Sequence, residues 1–193
     1  LEPIYNFLDD LPNIENVAMP LLPSERIRLT AGSTTSFDAG RGCPFTCSFC
    51  TIINVQGQKS RQRSIQSIEN IIRDNVKQGL SSFFISDDDF ARNKNWESIL
   101  DKFIELREVH KLKISFTIQV DTLCHNLPGF IEKSGRAGVK RAFIGLENIN
   151  PDSLLGASKR QNKITDYRAM LLAWKKVGVI TCCGYILGFP NDT

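Results

Sequence analysis

Three cysteines, Cys43, Cys47 and Cys50, fall within eight residues of the stretch Gly40-Arg41-Gly42-Cys43-Pro44-Phe45-Thr46-Cys47-Ser48-Phe49-Cys50, spaced C-x3-C-x2-C. Thiolates are the ligands that hold iron–sulfur clusters, and a [4Fe–4S] cube takes one ligand at each iron. A loop offering three thiolates holds three irons and leaves the fourth open to a ligand that is not protein. An open iron beside a substrate is a place for chemistry, whereas a fully ligated cluster mainly carries electrons. The competing use of close cysteines is a structural zinc knuckle. Zinc takes four protein donors, and no fourth Cys or His follows at finger spacing.

The remaining candidates lie at the ends of strand-like segments. Asp87, Asp88 and Asp89 follow an apolar run at 82–86. Gln119 and Asp121 close an alternating run at 113–120, and Glu147 follows another at 141–146. Gly184 and Gly188 sit in Gly184-Tyr185-Ile186-Leu187-Gly188-Phe189-Pro190, at the end of a run over 179–187. In βα barrels the C-terminal ends of strands surround one mouth, where sites form. One aspartate of the triple is expected to cap a turn, and Asp89 is read as solvated. Glycine inside a strand marks either a close approach or a bulge.

The elements that must position these residues alternate between strand and helix signals, the pattern of parallel βα units. A first strand over 35–39 runs into the cysteine loop. Ser64 is expected to cap a helix carrying Ile65, Ile68, Ile72 and Val76, which Gly79 ends. Asn95 is expected to cap the next, with Trp96, Ile99, Leu100, Phe103 and Leu106 inward. A helix over 128–136, a short one opened by Asn150-Pro151, and a longer one capped by Thr165 follow. The fold class is α/β. In the run 113–120, Ile114, Phe116, Ile118 and Val120 face one way and Ser115, Thr117 and Gln119 the other. Strands buried on both faces read as continuous apolar runs, so a kept polar face suits a barrel lumen better than a doubly wound sheet. Residues 1–36, broken by Pro12, Pro20 and Pro23, read as an irregular leader.

The chain has 193 residues, 41% hydrophobic and 23% charged, with net charge +3 and no basic block. That suits one globular domain and gives nucleic-acid binding no electrostatic footprint. No apolar run approaches the ~20 residues of a membrane span. Half of the six cysteines crowd one loop, which fits a reduced, cytoplasmic protein better than a disulfide framework. Cys124, Cys182 and Cys183 are read as buried small hydrophobes, His110 and His125 carry no partner motif, and the plain reading of Arg61 and Arg63 is that they face solvent.

The cysteine loop, with Phe49 just before Cys50, resembles that of the radical S-adenosylmethionine (radical SAM) superfamily, and the resemblance runs from about Phe37 to the last residue. It implies a [4Fe–4S] cluster on Cys43, Cys47 and Cys50, its open iron chelated by S-adenosylmethionine, which one electron cleaves to a 5′-deoxyadenosyl radical that attacks a small-molecule substrate. It implies a partial (β/α)6 barrel of the TIM type, truncated here after the fifth strand, and an electron donor such as flavodoxin or ferredoxin. Asp87 and Asp88 stand where many members have Gly-Gly-Glu, a turn that takes the amino group of S-adenosylmethionine; the triple is closer to the Asp-Asp-x-Phe version of the cobalamin-linked branch. By the same resemblance Glu147 contacts the ribose or amino acid of that cofactor, Gly184 and Gly188 bring backbone to the adenine, and Arg61-x-Arg63-Ser64 is a landmark of the family; Gln119, at its strand end, is expected to converge on the same cavity. Leu8-Asp9-Asp10-Leu11-Pro12 resembles the linker of that branch, which implies cobalamin on a domain outside this chain, residues 1–36 as leader and 37–193 as an incomplete core. Methylation or ring formation would then be the reaction class. Two alternatives stay open: an iron–sulfur electron carrier, which would need no second cofactor site, and a tRNA-modifying radical SAM enzyme, against which stands the lack of a basic appendage.

Overall fold

The computed structural model of the protein describes residues 6–192. Helix α1 (Ser24–Ala31) and strand β1 (Thr34–Phe37) lead into β2 (Gly40–Arg41), the short helix α2 (Ile52–Val55) and β3 (Arg61–Gln62). Then come α3 (Ile65–Lys77), β4 (Ser82–Ile85), α4 (Trp96–Glu108), β5 (Ser115–Val120), α5 (Phe130–Ala137), β6 (Val139–Glu147), α6 (Pro151–Gly156), α7 (Ile164–Lys176) and β7 (Ile180–Tyr185). The main sheet is parallel, in the order β1-β4-β5-β6-β7, while β2 and β3 form a separate antiparallel pair. Each strand of the main sheet lies beside the one before it. A doubly wound sheet would reverse direction at a switch point; this one winds one way, as a barrel wall does, and stays open between β1 and β7. The barrel-type reading of the fold therefore holds.

Strand β5 shows why. Phe116, Ile118 and Val120 are buried, while Ser115, Thr117 and Gln119 on the other face are only partly so. On the buried side, Phe103 of α4 stacks on Phe116 with ring centroids 4.0 Å apart, Phe83 of β4 stacks on Phe116 in turn, and Phe37 of β1 meets Phe83 edge-on. Ser64 Oγ accepts the N–H of Ser67 and Ile68 and Ile72 are fully buried, so α3 forms where its cap and period place it. Gly79 closes that helix at a φ of 78°, where a side chain would be strained.

Four local expectations fail. Asn95 makes no capping bond; the Asn93 side chain takes the Asn95 N–H instead. Lys163 fills the position before α7, and Thr165, inside the first turn, bonds Asp166. The leader is not wholly irregular, since α1 forms between Pro23 and Gly32, anchored by buried Ile27. Cys182 and Cys183 are exposed, not buried, because β7 pairs on one side only among the described residues; Cys124 is buried as expected.

Arg63 does not face solvent, the plainer of the two readings of Arg61-x-Arg63-Ser64. It is 1% exposed, donating from Nε and Nη2 to Asp38 and from Nη1 to the carbonyl of Val17. Arg41 reaches Asp38 from the other side. Although burial pushes the Asp38 carboxyl up, these two arginines hold it below the usual carboxylate range. The pair locks the strand end before the cysteine loop to the entry of α3.

Candidate functional site

The cysteine loop leaves β2 through Gly42, whose φ is 98° and whose added Cβ would stand 2.5 Å from the carbonyl oxygen of Lys59. Only glycine fits there. The Gly42 N–H goes to Asp88 at 2.7 Å, that of Cys43 to Gly57 O at 3.2 Å, and that of Ser48 to Ala157 O at 3.0 Å. The loop is thus tied at three points before any metal binds. Cys47 is buried, and Cys43 and Cys50 are half-buried. Burial pushes the Cys43 thiol up to about 11, against the pull of the Phe45 backbone N–H. A metal bound at this thiol would have to displace a proton.

All three cysteines line one cavity of about 160 Å³, together with Asp88, Asp89, Gln119, Asp121 and Glu147. Among the described residues, no three Cys, His, Asp or Glu side chains gather as ligands of a single ion would. A cube takes its thiolates on separate irons, and cysteines spread around one cavity suit it.

The polar residues proposed from the sequence do not all meet there. Asp88 does; burial raises its carboxyl, opposed by the Gly42 N–H and by Arg41 and Arg61. Gln119 does, its amide steadied by the Asp87 carbonyl at 3.2 Å. Glu147 does as well, by way of a bulge. The β6–β7 register shifts between Gly145 and Glu147, and Glu147 adopts a φ of 66°, a conformation that costs a non-glycine residue about 1–3 kcal/mol. Its Oε1 meets Lys159 Nζ at 2.8 Å, and a Cβ on Gly145 would collide with both groups.

Asp87, by contrast, does not line the cavity. Its carboxylate turns to the backbone N–H groups of Ala39 and Gly40, at 2.6 and 2.8 Å, and to Asn93. Gly184 stands just outside, behind Phe143, and Gly188 lies away from the cavity with its N–H on Asp192. Asp89, read as solvated, is 6% exposed and faces Asp121. Burial and then the Asp121 charge raise its carboxyl well above the usual range, while Arg92 pairs with Asp121 and holds that side of the site.

Two functional candidates escaped the sequence reading, Lys159 and Gln161. Both lie in the polar stretch after α6, which carries no motif and is folded down onto the cysteine loop. Lys159 pairs with Glu147 and stands 5.7 Å over the Phe49 ring, and Gln161 donates to Cys47 Sγ at 3.4 Å. A hint was available in Gly145, since glycine in a strand signals that something approaches closely.

Residues 38–193 match the family model described as the radical SAM superfamily. A bacteriochlorophyllide d C-12(1)-methyltransferase of Chlorobaculum tepidum is 28% identical, over 80% of this chain and 34% of that protein. Among solved structures, the radical S-adenosylmethionine methyltransferase TsrM of Kitasatospora setae, with tryptophan and a SAM analogue bound, superposes with a TM-score of 0.78 at 18% identity, over 94% of this chain and 35% of TsrM. The cobalamin-dependent S-adenosylmethionine radical enzyme OxsB superposes at 0.65, also with 18% identity, over 95% of this chain and 27% of OxsB. The chain thus spans about a third of the length of these proteins, and the structural matches carry the fold. Taken with the family match across the cysteine loop and every strand end described above, they give one conclusion: the chain belongs to the radical SAM superfamily.

Proposed function

We propose that the protein is a radical SAM enzyme of the cobalamin-linked methyltransferase type, acting on a small molecule. The observation that carries this reading is the single cavity shared by Cys43, Cys47, Cys50 and the polar ends of three further strands. Cys43, Cys47 and Cys50 would hold a [4Fe–4S] cluster. When bound, that group supplies the electron that cleaves S-adenosylmethionine. The chain's own part is binding, orientation and exclusion of side reactions. Asp88 and Glu147 offer carboxylates to the ammonium of the cofactor, and Lys159 a cation to its carboxylate. Gln119 adds an amide beside them. Phe45 and Phe49 shield the thiolates from water. Asp87 acts indirectly, by fastening the backbone at Ala39 and Gly40, and Gly184 keeps the wall behind Phe143 thin. Methyltransferases among the relatives, and the cobalamin bound in TsrM and OxsB structures, support the branch. Residues 1–36 would be the leader from a cobalamin-binding domain, and a cytoplasmic flavodoxin or ferredoxin the electron donor.

Anaerobic reconstitution of the full-length protein should give a brown species with about four irons per chain. Serine at Cys43, Cys47 or Cys50 should abolish it, and serine at Cys124 should not. Calorimetry should then show Glu147→Ala weakening S-adenosylmethionine binding about ten- to a hundredfold with iron content intact, as loss of a charge-assisted hydrogen bond implies. Lys94→Ala, at an exposed site, is the control. Stoichiometric zinc without iron would end the cluster reading. A loaded protein that binds no S-adenosylmethionine would be an electron carrier.

A further inference from the structure

The stretch after α6 is folded against the cysteine loop and fixed there by several hydrogen bonds. Asn162 Nδ2 donates to the carbonyls of Gly145 and Leu146, at 3.0 and 2.7 Å, and to Tyr167 Oη. Thr122 Oγ1 donates to Asn162 Oδ1 at 2.9 Å, with the Gln161 carbonyl 3.4 Å away. Lys159 is held by Glu147, and the Ala157 carbonyl takes the Ser48 N–H. Gln161 therefore has a fixed backbone on both sides. Its side chain is buried, and its Nε2 donates to Sγ of Cys47, itself 6% exposed. On a surface, water would replace such a bond. Here the pair is shielded, where a dipole acts at low dielectric.

We propose that Gln161, acting through Cys47, raises the reduction potential of the cluster and so sets how strong a reductant it needs. This rests on the reading that the three cysteines hold a [4Fe–4S] cluster. Reduction adds one electron from a low-potential donor and breaks no bond; the cluster and its thiolates gain one negative charge. An N–H aimed at a thiolate sulfur stabilises the more negative state, and hydrogen bonds to the sulfurs are among the factors that set cluster potentials. Gln161 is thus a positioning residue that touches a ligand and not the substrate.

The test is a redox titration of the reconstituted full-length protein with dithionite, followed by the electron paramagnetic resonance of the reduced cluster. Gln161→Leu should lower the equilibrium constant for reduction about tenfold, which is a shift of ~59 mV to more negative potential for one electron. Gln161→Glu keeps the shape but brings a negative charge and no donor when ionised, and should shift the potential the same way. Asn75→Leu removes a buried amide from α3, remote from the loop, and should shift nothing. Iron content should match the wild type throughout. If Leu loses iron and Glu keeps it, the Glu variant decides. Unchanged potentials in the loaded variants, or iron lost from both, would overturn the proposal and leave Gln161 a purely structural contact. A wild type that takes up no cluster fails the underlying reading instead.

Discussion

At the scale of the residue, three adjacent carboxylates meet three different fates. Asp88 faces the cavity, Asp89 faces Asp121, and Asp87 is turned to backbone N–H groups. Burial pushes the Asp87 carboxyl up to about 7, against the Asn93, Gly40 and Ala39 donors, from 3.8 when free. Between those values the folded state binds the proton that the unfolded chain has lost. Stability from this group is therefore fully present below about pH 4 and falls as pH rises to about 7. Chemical denaturation of the wild type should show that loss, on the order of a few kcal/mol at most, and Asp87→Asn should flatten it; equal slopes in both would place the titration elsewhere. That the three cysteines belong together was legible because they crowd one short loop, and the structure brings all three to one cavity. Nothing in a run of three aspartates says which way each one turns, and nothing in Lys159-Arg160-Gln161-Asn162 says that a polar loop is buried. Those directions are set by long-range partners.

At the scale of the element, periodicity placed the five strands of the sheet and its main helices, because burial of one face leaves a repeat in the sequence. Caps were less legible. Asn95 and Thr165 stand where a cap would serve, but Asn93 and Asp166 offer other bonds at short range. The Arg63–Asp38 pair was not legible either, since an arginine before a helix is ordinarily at the surface. Its energetic role is testable. Arg63→Leu would leave the Asp38 carboxylate short of a buried partner and the Val17 carbonyl without its donor. Breaking a buried pair from one side costs about 3–5 kcal/mol. Urea unfolding should report a loss of that size, with iron uptake reduced because the loop starts only five residues after Asp38. A loss below about 1 kcal/mol would mean that Arg41 and water replace the contact.

At the scale of the whole molecule, β7 presents an unpaired edge and apolar side chains to solvent among the described residues. On this strand Ile180 is 60% exposed and Tyr185 also stands open. Such an edge templates pairing with other chains, and a charge on it opposes this. The 193-residue chain on its own should self-associate through β7, and Ile180→Lys should shift it toward monomer in sedimentation velocity. Identical profiles for the two would place the contact elsewhere. The open wall was legible from the sequence as a barrel with one polar-lined face. Its exposed cysteines were not, because strand composition does not say which strand lies at an edge.

The contact between Arg63 and Val17 has a consequence for how this unit could have been inherited. The family match begins at residue 38, yet Ile14 is 2% exposed, the Ser64 N–H goes to the Glu15 carbonyl, and Arg63 grips Val17. The physical module therefore starts well upstream of the recognisable one. A recombination that joined a foreign partner at residue 38 would cut through its foundations. Shuffling that succeeded would have had to carry the leader along, so the boundary that similarity draws and the boundary that folding enforces differ by more than twenty residues.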